Sequence, residues 1–154
     1  MPLDIGSKLQ ERYEIVRFIK SGGMGSVCEA RDLSLANSPC AIKEILENAV
    51  TRDDAQYIRS TFEKEMRALV ALDHPCIPKV RDYFVDGDKR YIVMDYLGGN
   101  TLEKEIRQHQ DTTSRGIPAG KAVTDILALL DIVIYLHGRS PALVHRDLKP
   151  ANII

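Results

Sequence analysis

Cysteine is scarce in this chain: Cys28, Cys40 and Cys76 lie far apart, and no Cys-x-x-Cys pair occurs. That excludes a disulfide framework and a thiolate zinc site, and makes a reducing cytoplasmic setting the expected one. All three thiols are expected to act as small buried hydrophobes. The histidines are scattered, without metal-ligand spacing. A basic excess is missing too. With 21 Lys and Arg against 22 Asp and Glu, the formal net charge is -1, so neither nucleic acid nor an anionic membrane is an expected partner. The opening Met-Pro-Leu-Asp-Ile-Gly-Ser-Lys-Leu-Gln has no apolar core of the kind a signal peptide needs. The most apolar stretch, Ile126 to Leu136, is broken by Asp131 and is too short to span a bilayer. No repeat or low-complexity tract is visible.

What remains is ordinary globular material, 44% hydrophobic and 28% charged over 154 residues, enough for one domain or part of one. Residues 13–20 partly alternate and predict a strand. A glycine cluster at 22–25 then predicts a turn, and 26–32 a second strand. Residues 38–46 suit a third strand. From about Asp53 to Leu72, Ile58, Phe62, Met66 and Leu69 recur at helical spacing. That helix must stop before Asp73-His74-Pro75, because proline disfavours helical geometry in the residue before it. Two further strands are predicted at 79–86 and 90–97, joined by a turn at Asp86-Gly87-Asp88. A short helix near 101–109 and a long one near 119–138 follow. The long helix gathers Val123, Ile126, Leu127, Leu130, Val133 and Ile134 on one face. His137 continues that stripe and is expected to be packed or partner-bonded. Gly98-Gly99 is the natural hinge between sheet and helices.

Three segments carry chemistry. Gly22, Gly23 and Gly25 lie between two strands. Without side chains the backbone there can approach a polyphosphate closely, although a plain tight turn explains the glycines equally well. Lys43 interrupts an apolar strand beside Ile42, Ile45 and Leu46. A strand lysine usually snorkels to water. Glu65 falls between Phe62 and Leu69 on the helix's apolar face, where a buried carboxylate would need a cation, and Lys43 is the leading choice. The other reading of Glu65 is an edge-of-stripe residue reaching water. The densest string is His145-Arg146-Asp147-Leu148-Lys149-Pro150-Ala151-Asn152. Asp147 could take a proton from a hydroxyl, Lys149 could offset charge on a transferring phosphoryl group, and Asn152 offers a neutral oxygen to a hard cation such as Mg²⁺.

That string resembles the catalytic-loop signature of eukaryotic-type (Hanks-type) serine/threonine protein kinases. The other pieces follow the family's order over nearly the whole chain from about residue 13. Ile19 to Val27 resembles the glycine-rich loop, Ala41-Ile42-Lys43 the strand-borne lysine motif, and Phe62-Glu63-Lys64-Glu65 the αC helix. Tyr91-Ile92-Val93-Met94-Asp95-Tyr96-Leu97 resembles the strand that runs into the hinge. The Gly-Gly-Met-Gly loop and the Lys-Pro-Ala-Asn-Ile ending look most like the bacterial branch. The resemblance implies an α+β fold: a lead-in over 1–12, a kinase N-lobe over 13–97 (five-stranded antiparallel sheet plus αC helix), and the first helices of a truncated C-lobe over 98–154.

It also implies roles. Lys43 would contact the α- and β-phosphates of ATP and pair with Glu65. Asp147 would orient the substrate hydroxyl, Lys149 would approach the γ-phosphate, and Asn152 would hold Mg²⁺. Gly22, Gly23 and Gly25 would cradle phosphates. Ile19, Val27 and Ala41 would enclose the adenine, Met94 would be the gatekeeper, and the backbone at Asp95 and Leu97 would hydrogen-bond the adenine edge. The implied partner is a protein with a Ser or Thr acceptor. Lys20 stands where the family's loop has its first glycine, and nucleotide binding is expected to survive it. The family's Asp-Phe-Gly motif and activation loop lie outside these residues. These 154 residues are therefore expected to be a fragment, inactive alone, with the long apolar helix looking for further partners. Two alternatives are a nucleotide-binding pseudokinase-like module and a small-molecule phosphotransferase of the same fold. The latter usually carries His-Gly-Asp rather than His145-Arg146-Asp147.

Overall fold

A computed structural model describes residues 3–22, 25–45, 55–87 and 89–154. Gly23, Leu46, Asp53 and Asp88, as well as the side chain of Ile58, lie outside the described set. The chain divides into two compact units. One comprises residues 1–73 and 78–96, the other 74–77 and 97–154.

Among the described residues, the first unit is a six-stranded antiparallel sheet with one helix. Its strands are β1 (Lys8–Leu9), β2 (Tyr13–Gly22), β3 (Gly25–Asp32), β4 (Ser38–Ile45), β5 (Val80–Asp86) and β6 (Lys89–Asp95), in spatial order β1-β2-β3-β4-β6-β5. Five of them match the expected strands. The sixth, β1, is a two-residue strand in the lead-in, paired with β2 through Lys8–Glu14 and Leu9–Tyr13. Alternation along the strands gives the sheet two distinct faces. One face buries Tyr13, Ile15, Cys28, Ala30, Cys40, Ile42, Tyr91 and Val93 as a continuous core. Burial there pushes the Cys28 and Cys40 thiols up to about 11. On the other face Ile92 packs against Phe62 and Met66 of α1 (Ala55–Val70), with Ile45, Leu69, Tyr83 and Met94 half-buried around them. The Phe62 ring meets Tyr83 edge-on at 6.0 Å. The Arg90 guanidinium sits 5.1 Å above the same Phe62 ring, a cation–π contact.

One end of the sheet is closed by a polar network invisible in the periodicity. Arg12 donates through Nε and Nη2 to both carboxylate oxygens of Asp32, at 2.9 and 2.7 Å. Its Nη1 reaches Asp82 at 3.1 Å, and the Tyr13 hydroxyl donates to the same Asp82 oxygen at 2.7 Å. The network therefore joins the β1–β2 turn to β5, two strands far apart in the sheet. Asp32 is buried, and the Ser34 hydroxyl and N–H also donate to it. The Arg12 hydrogen bond, opposed by burial and helped by Ser34, holds the Asp32 carboxyl at about 2.

The second unit carries α2 (Leu102–Thr113), α3 (Ala119–His137) and a 3₁₀ turn at Pro150–Asn152. Thr101 caps α2, its hydroxyl accepting the Lys104 N–H at 3.3 Å. Ser114 ends that helix in a left-handed conformation. The Leu102 N–H donates to the Ile153 carbonyl at 2.8 Å, which ties the start of α2 to the end of the chain. His74 seats its segment on α3: its ring lies 3.2 Å from Asp131 and 4.9 Å from the Tyr135 ring.

Two expectations need correction. His137 is exposed rather than packed. The stripe it continues is largely open, in line with a helix looking for further partners, with Ile126, Leu127 and Ile134 among the most exposed apolar residues and Val133 half-buried. In this unit only the far side of α3, at Leu136, is buried. Cys76 is exposed as well, because it follows Pro75 in a segment that is neither strand nor helix and has no inner face.

The folded pKa of Asp32 lies below its ordinary value. Its stabilisation is therefore complete above about pH 4 and is lost as pH falls toward the folded value, an effect of about 2 kcal/mol. Asp32→Asn is expected to lower the unfolding free energy at pH 7 by about that amount and to flatten the loss between about pH 4 and 2. Denaturant-dependent hydrogen exchange in β2 and β3 measures both. An unchanged acid profile contradicts the assignment.

Candidate active site

The register of β4 decides which side chains gather. Lys43 lies opposite Val27 of β3 and Ile92 of β6, and Ala41 lies opposite Met94. Residues directly opposite one another share a face, as do residues two apart on one strand. Val27, Ala41, Lys43 and Met94 therefore line one face of the sheet, the face on which α1 packs through Ile92. Of the expected nucleotide residues in this unit, these four are brought together by backbone geometry alone. Ala41 is buried, Val27 and Met94 are partly covered, and the Lys43 ammonium arm is exposed.

At the hairpin end, Gly22 pairs with Gly25. Gly25 has φ +116°, a conformation that strains any side chain. Ile19 sits at the irregularity between Phe18 and Lys20, unpaired in the register and about half exposed. Lys20 lies opposite Val27 and continues β2 as an ordinary strand residue. The Asp95 N–H donates to the Lys79 carbonyl at 3.0 Å. A contact from this backbone to an adenine edge therefore falls to the Asp95 carbonyl. The Asp95 side chain is tied down separately. Burial opposes its ionisation, but hydrogen bonds from Arg81 at 2.7 Å and from the Lys79 N–H outweigh this and lower its pKa. Leu97 belongs to the second unit and is exposed.

The expected Lys43–Glu65 ion pair is absent among the described residues. Both side chains are exposed. Glu65 lies at the flank of the buried stripe, whose centre runs through Phe62, Met66 and Leu69, so its carboxylate reaches water and needs no cation. Of the two readings left open by the sequence, the edge-of-stripe one describes this conformation.

In the second unit the charged string folds into a small hydrogen-bonded loop. Arg146 takes a left-handed conformation with φ +61°, a strained geometry for a bulky residue that costs on the order of 1–2 kcal/mol. It lets the Asp147 N–H turn back onto the His145 carbonyl at 2.9 Å. The Asn152 amide then donates twice, to the Asp147 carbonyl and to its Oδ2, both at 2.9 Å. Lys149 Nζ lies 2.7 Å from Asp147 Oδ1. The 3₁₀ turn at Pro150–Asn152 makes these contacts possible by bringing position 152 back to position 147. Asp147, Lys149 and Asn152 are thus assembled around one carboxylate. The arrangement can accept a proton at Asp147 with an ammonium alongside.

With both amide N–H groups of Asn152 committed, its Oδ1 is the atom with cation chemistry, suited to one position around Mg²⁺. Among the described residues no group of three or more His, Cys, Asp or Glu could hold a metal. A cation at Asn152 would therefore rely on phosphate oxygens or water for most of its shell.

Besides Asp32, a second buried polar residue escaped the sequence reading. Glu44 sits at the inward parity of β4 after Cys40 and Ile42, and a carboxylate in that alternation was the available signal.

A protein kinase domain family model matches residues 13–154. Serine/threonine-protein kinase B of Synechocystis is 31% identical over 149 residues, covering 96% of this chain and 25% of that protein. Serine/threonine-protein kinase PrkC of Bacillus subtilis is 36% identical over 150 residues, covering 97% of this chain and 22% of the relative. The chain thus spans about a quarter of the length of these relatives. The crystallised PknI kinase domain of Mycobacterium tuberculosis superposes with a TM-score of 0.77 at 25% identity, over 99% of this chain and 56% of that one.

Since Lys43 and Glu65 are exposed and apart, a double-mutant cycle of Lys43→Met and Glu65→Gln without nucleotide is expected to give a coupling below about 0.5 kcal/mol. Chemical denaturation measures it. Coupling of several kcal/mol, the signature of a buried pair, contradicts this geometry.

Proposed function

Since the chain belongs to the protein kinase family, we propose that it is the ATP-handling sheet and catalytic loop of a serine/threonine kinase. The parent protein moves the ATP γ-phosphate onto a Ser or Thr hydroxyl of a protein substrate. The observation that carries this reading is the Asp147–Lys149–Asn152 assembly, in which one carboxylate is fixed by an amide and flanked by an ammonium.

Asp147 Oδ1 or Oδ2 accepts the hydroxyl hydrogen, and the hydroxyl oxygen attacks the γ-phosphorus with its electron pair. The bond between that phosphorus and the β–γ bridging oxygen breaks, and ADP leaves with the electrons. Lys149 offsets charge on the oxygens of the transferring group. The Asn152 amide keeps Asp147 from rotating away, while its Oδ1 would hold Mg²⁺. Bound Mg²⁺ supplies charge neutralisation on the phosphates. In the first unit, Lys43 would meet the α- and β-phosphates, the glycines at 22, 23 and 25 would cradle phosphate oxygens, and Val27, Ala41 and Ile19 would enclose the adenine beside Met94, with the Asp95 backbone at its edge. Glu65 would pair with Lys43 in the active, nucleotide-bound form. Lys149 after His-Arg-Asp-Leu favours Ser/Thr over Tyr acceptors. No helix among the described residues is long and apolar enough to cross a membrane, which suits a catalytic domain working in the cytoplasm.

A second reading, a nucleotide-binding regulatory module without transfer, draws on one observation, the separation of Lys43 from Glu65. Transfer assays on the protein that carries this chain decide between them. We expect Mg²⁺- and ATP-dependent phosphorylation of a Ser peptide over its Tyr counterpart. Asp147→Ala should lower it by about 10²–10⁴-fold with ATP affinity little changed. The 154 residues alone, with Asn152 as their one proposed metal ligand, are expected to bind ATP without turnover. ATP binding by the longer protein with no transfer to any acceptor would establish the regulatory reading instead.

A further inference from the structure

Glu44 is 6% exposed on the face of β4 opposite to Lys43, beside the buried Ile42 and Tyr91. Its Oε2 accepts the Ser26 hydroxyl at 2.9 Å. Its Oε1 is ion-paired with Lys89 at the start of β6. The three side chains form a polar rung across β3, β4 and β6. Ser26 is the residue after Gly25 and lies opposite Ser21, at the end of the hairpin where Gly22 and Gly25 face each other.

An apolar side chain at position 44 would pack against Tyr91 and Cys28 without the cost of burying a carboxylate. The charge therefore calls for an explanation beyond core filling. Two features supply one. The Ser26 contact reaches only the glycine end of the hairpin, and Lys89 cancels the carboxylate's charge, so the rung does not repel phosphates.

We propose that Glu44 is a positioning residue, which through Ser26 holds the glycine end of the β2–β3 hairpin in the geometry that receives nucleotide phosphates. The inference rests on the nucleotide reading above. Glu44 touches no phosphate itself; it removes hairpin freedom that binding would otherwise have to remove. Its effect is larger for ligands with phosphates, because Ser26 adjoins Gly25, whereas of the adenine contacts only Ile19 and Val27 belong to the hairpin.

The test titrates ADP, with Mg²⁺, and adenosine into the full chain, comparing Ser26→Ala, Ser26→Thr, Glu44→Gln and Lys43→Met with the unsubstituted protein. Ser26→Ala is expected to weaken ADP about fivefold and to leave adenosine within about twofold, with Ser26→Thr restoring ADP affinity. Glu44→Gln should act in the same direction and further, about tenfold. If Glu44→Gln fails to fold, Ser26→Ala decides, because it leaves the Glu44–Lys89 pair intact. An equal loss for both ligands makes Glu44 a merely structural residue and overturns the proposal. So does unchanged ADP affinity in Ser26→Ala while Lys43→Met weakens it. A chain that binds neither ligand overturns the nucleotide reading itself, and this inference with it.

Discussion

Strand β4 presents successive side chains to opposite faces of the sheet, and its register against β3 and β6 decides what each face becomes. Ala41 and Lys43 point to the side where Val27 and Met94 also lie, while Cys40, Ile42 and Glu44 point into the opposite core. A slip of one residue would exchange the two sets, sinking the lysine into the core and exposing Ile42. The cost of such a slip pins the register. Ile42 and Cys40 are fully buried, and the Arg12–Asp32–Asp82 network locks the far end of the same sheet. The apolar core therefore places Lys43, the residue proposed to meet phosphates, on the other face.

The loop from His145 to Asn152 follows a different logic. It has little core of its own, and its order comes from short polar contacts among exposed residues: Asn152 to Asp147, Lys149 to Asp147, and the turned-back N–H of Asp147. The left-handed Arg146 is the strain that this arrangement tolerates. Such contacts are individually weak in water, but together they leave one carboxylate with a defined orientation and a cation beside it. The Ser26–Glu44–Lys89 rung applies the same principle in a buried setting, where each contact is worth more and an unpaired partner costs more.

Much of this could be read in the sequence. The strand and helix order followed from alternation, from helical spacing and from the breaks at Asp73-His74-Pro75 and Gly98-Gly99. The spacing of Ala41-Ile42-Lys43 and the string from His145 to Asn152 gave both the family and the residues of the loop. The failures have physical causes. Glu65 and Met66 are adjacent on a helix, and spacing alone does not say which side of Phe62 turns inward. A stripe marks an apolar face without saying that the face is covered, so His137, expected to be packed, is exposed. The Arg12, Asp32 and Asp82 network and the Glu44 rung join residues distant in sequence through side chains, for which periodicity carries no signal. The two-residue β1 strand is too short for alternation to register.

The central claim is that one face of the sheet, and only that face, handles nucleotide. Methyl-labelled protein titrated with MgATP tests it directly. The account predicts shifts in the Val27, Ala41 and Met94 methyls, with those of Ile42, Ala30 and Val93 in the opposite core little changed. Shifts confined to the Ile42 and Val93 face, or no shifts at saturating nucleotide, would contradict it.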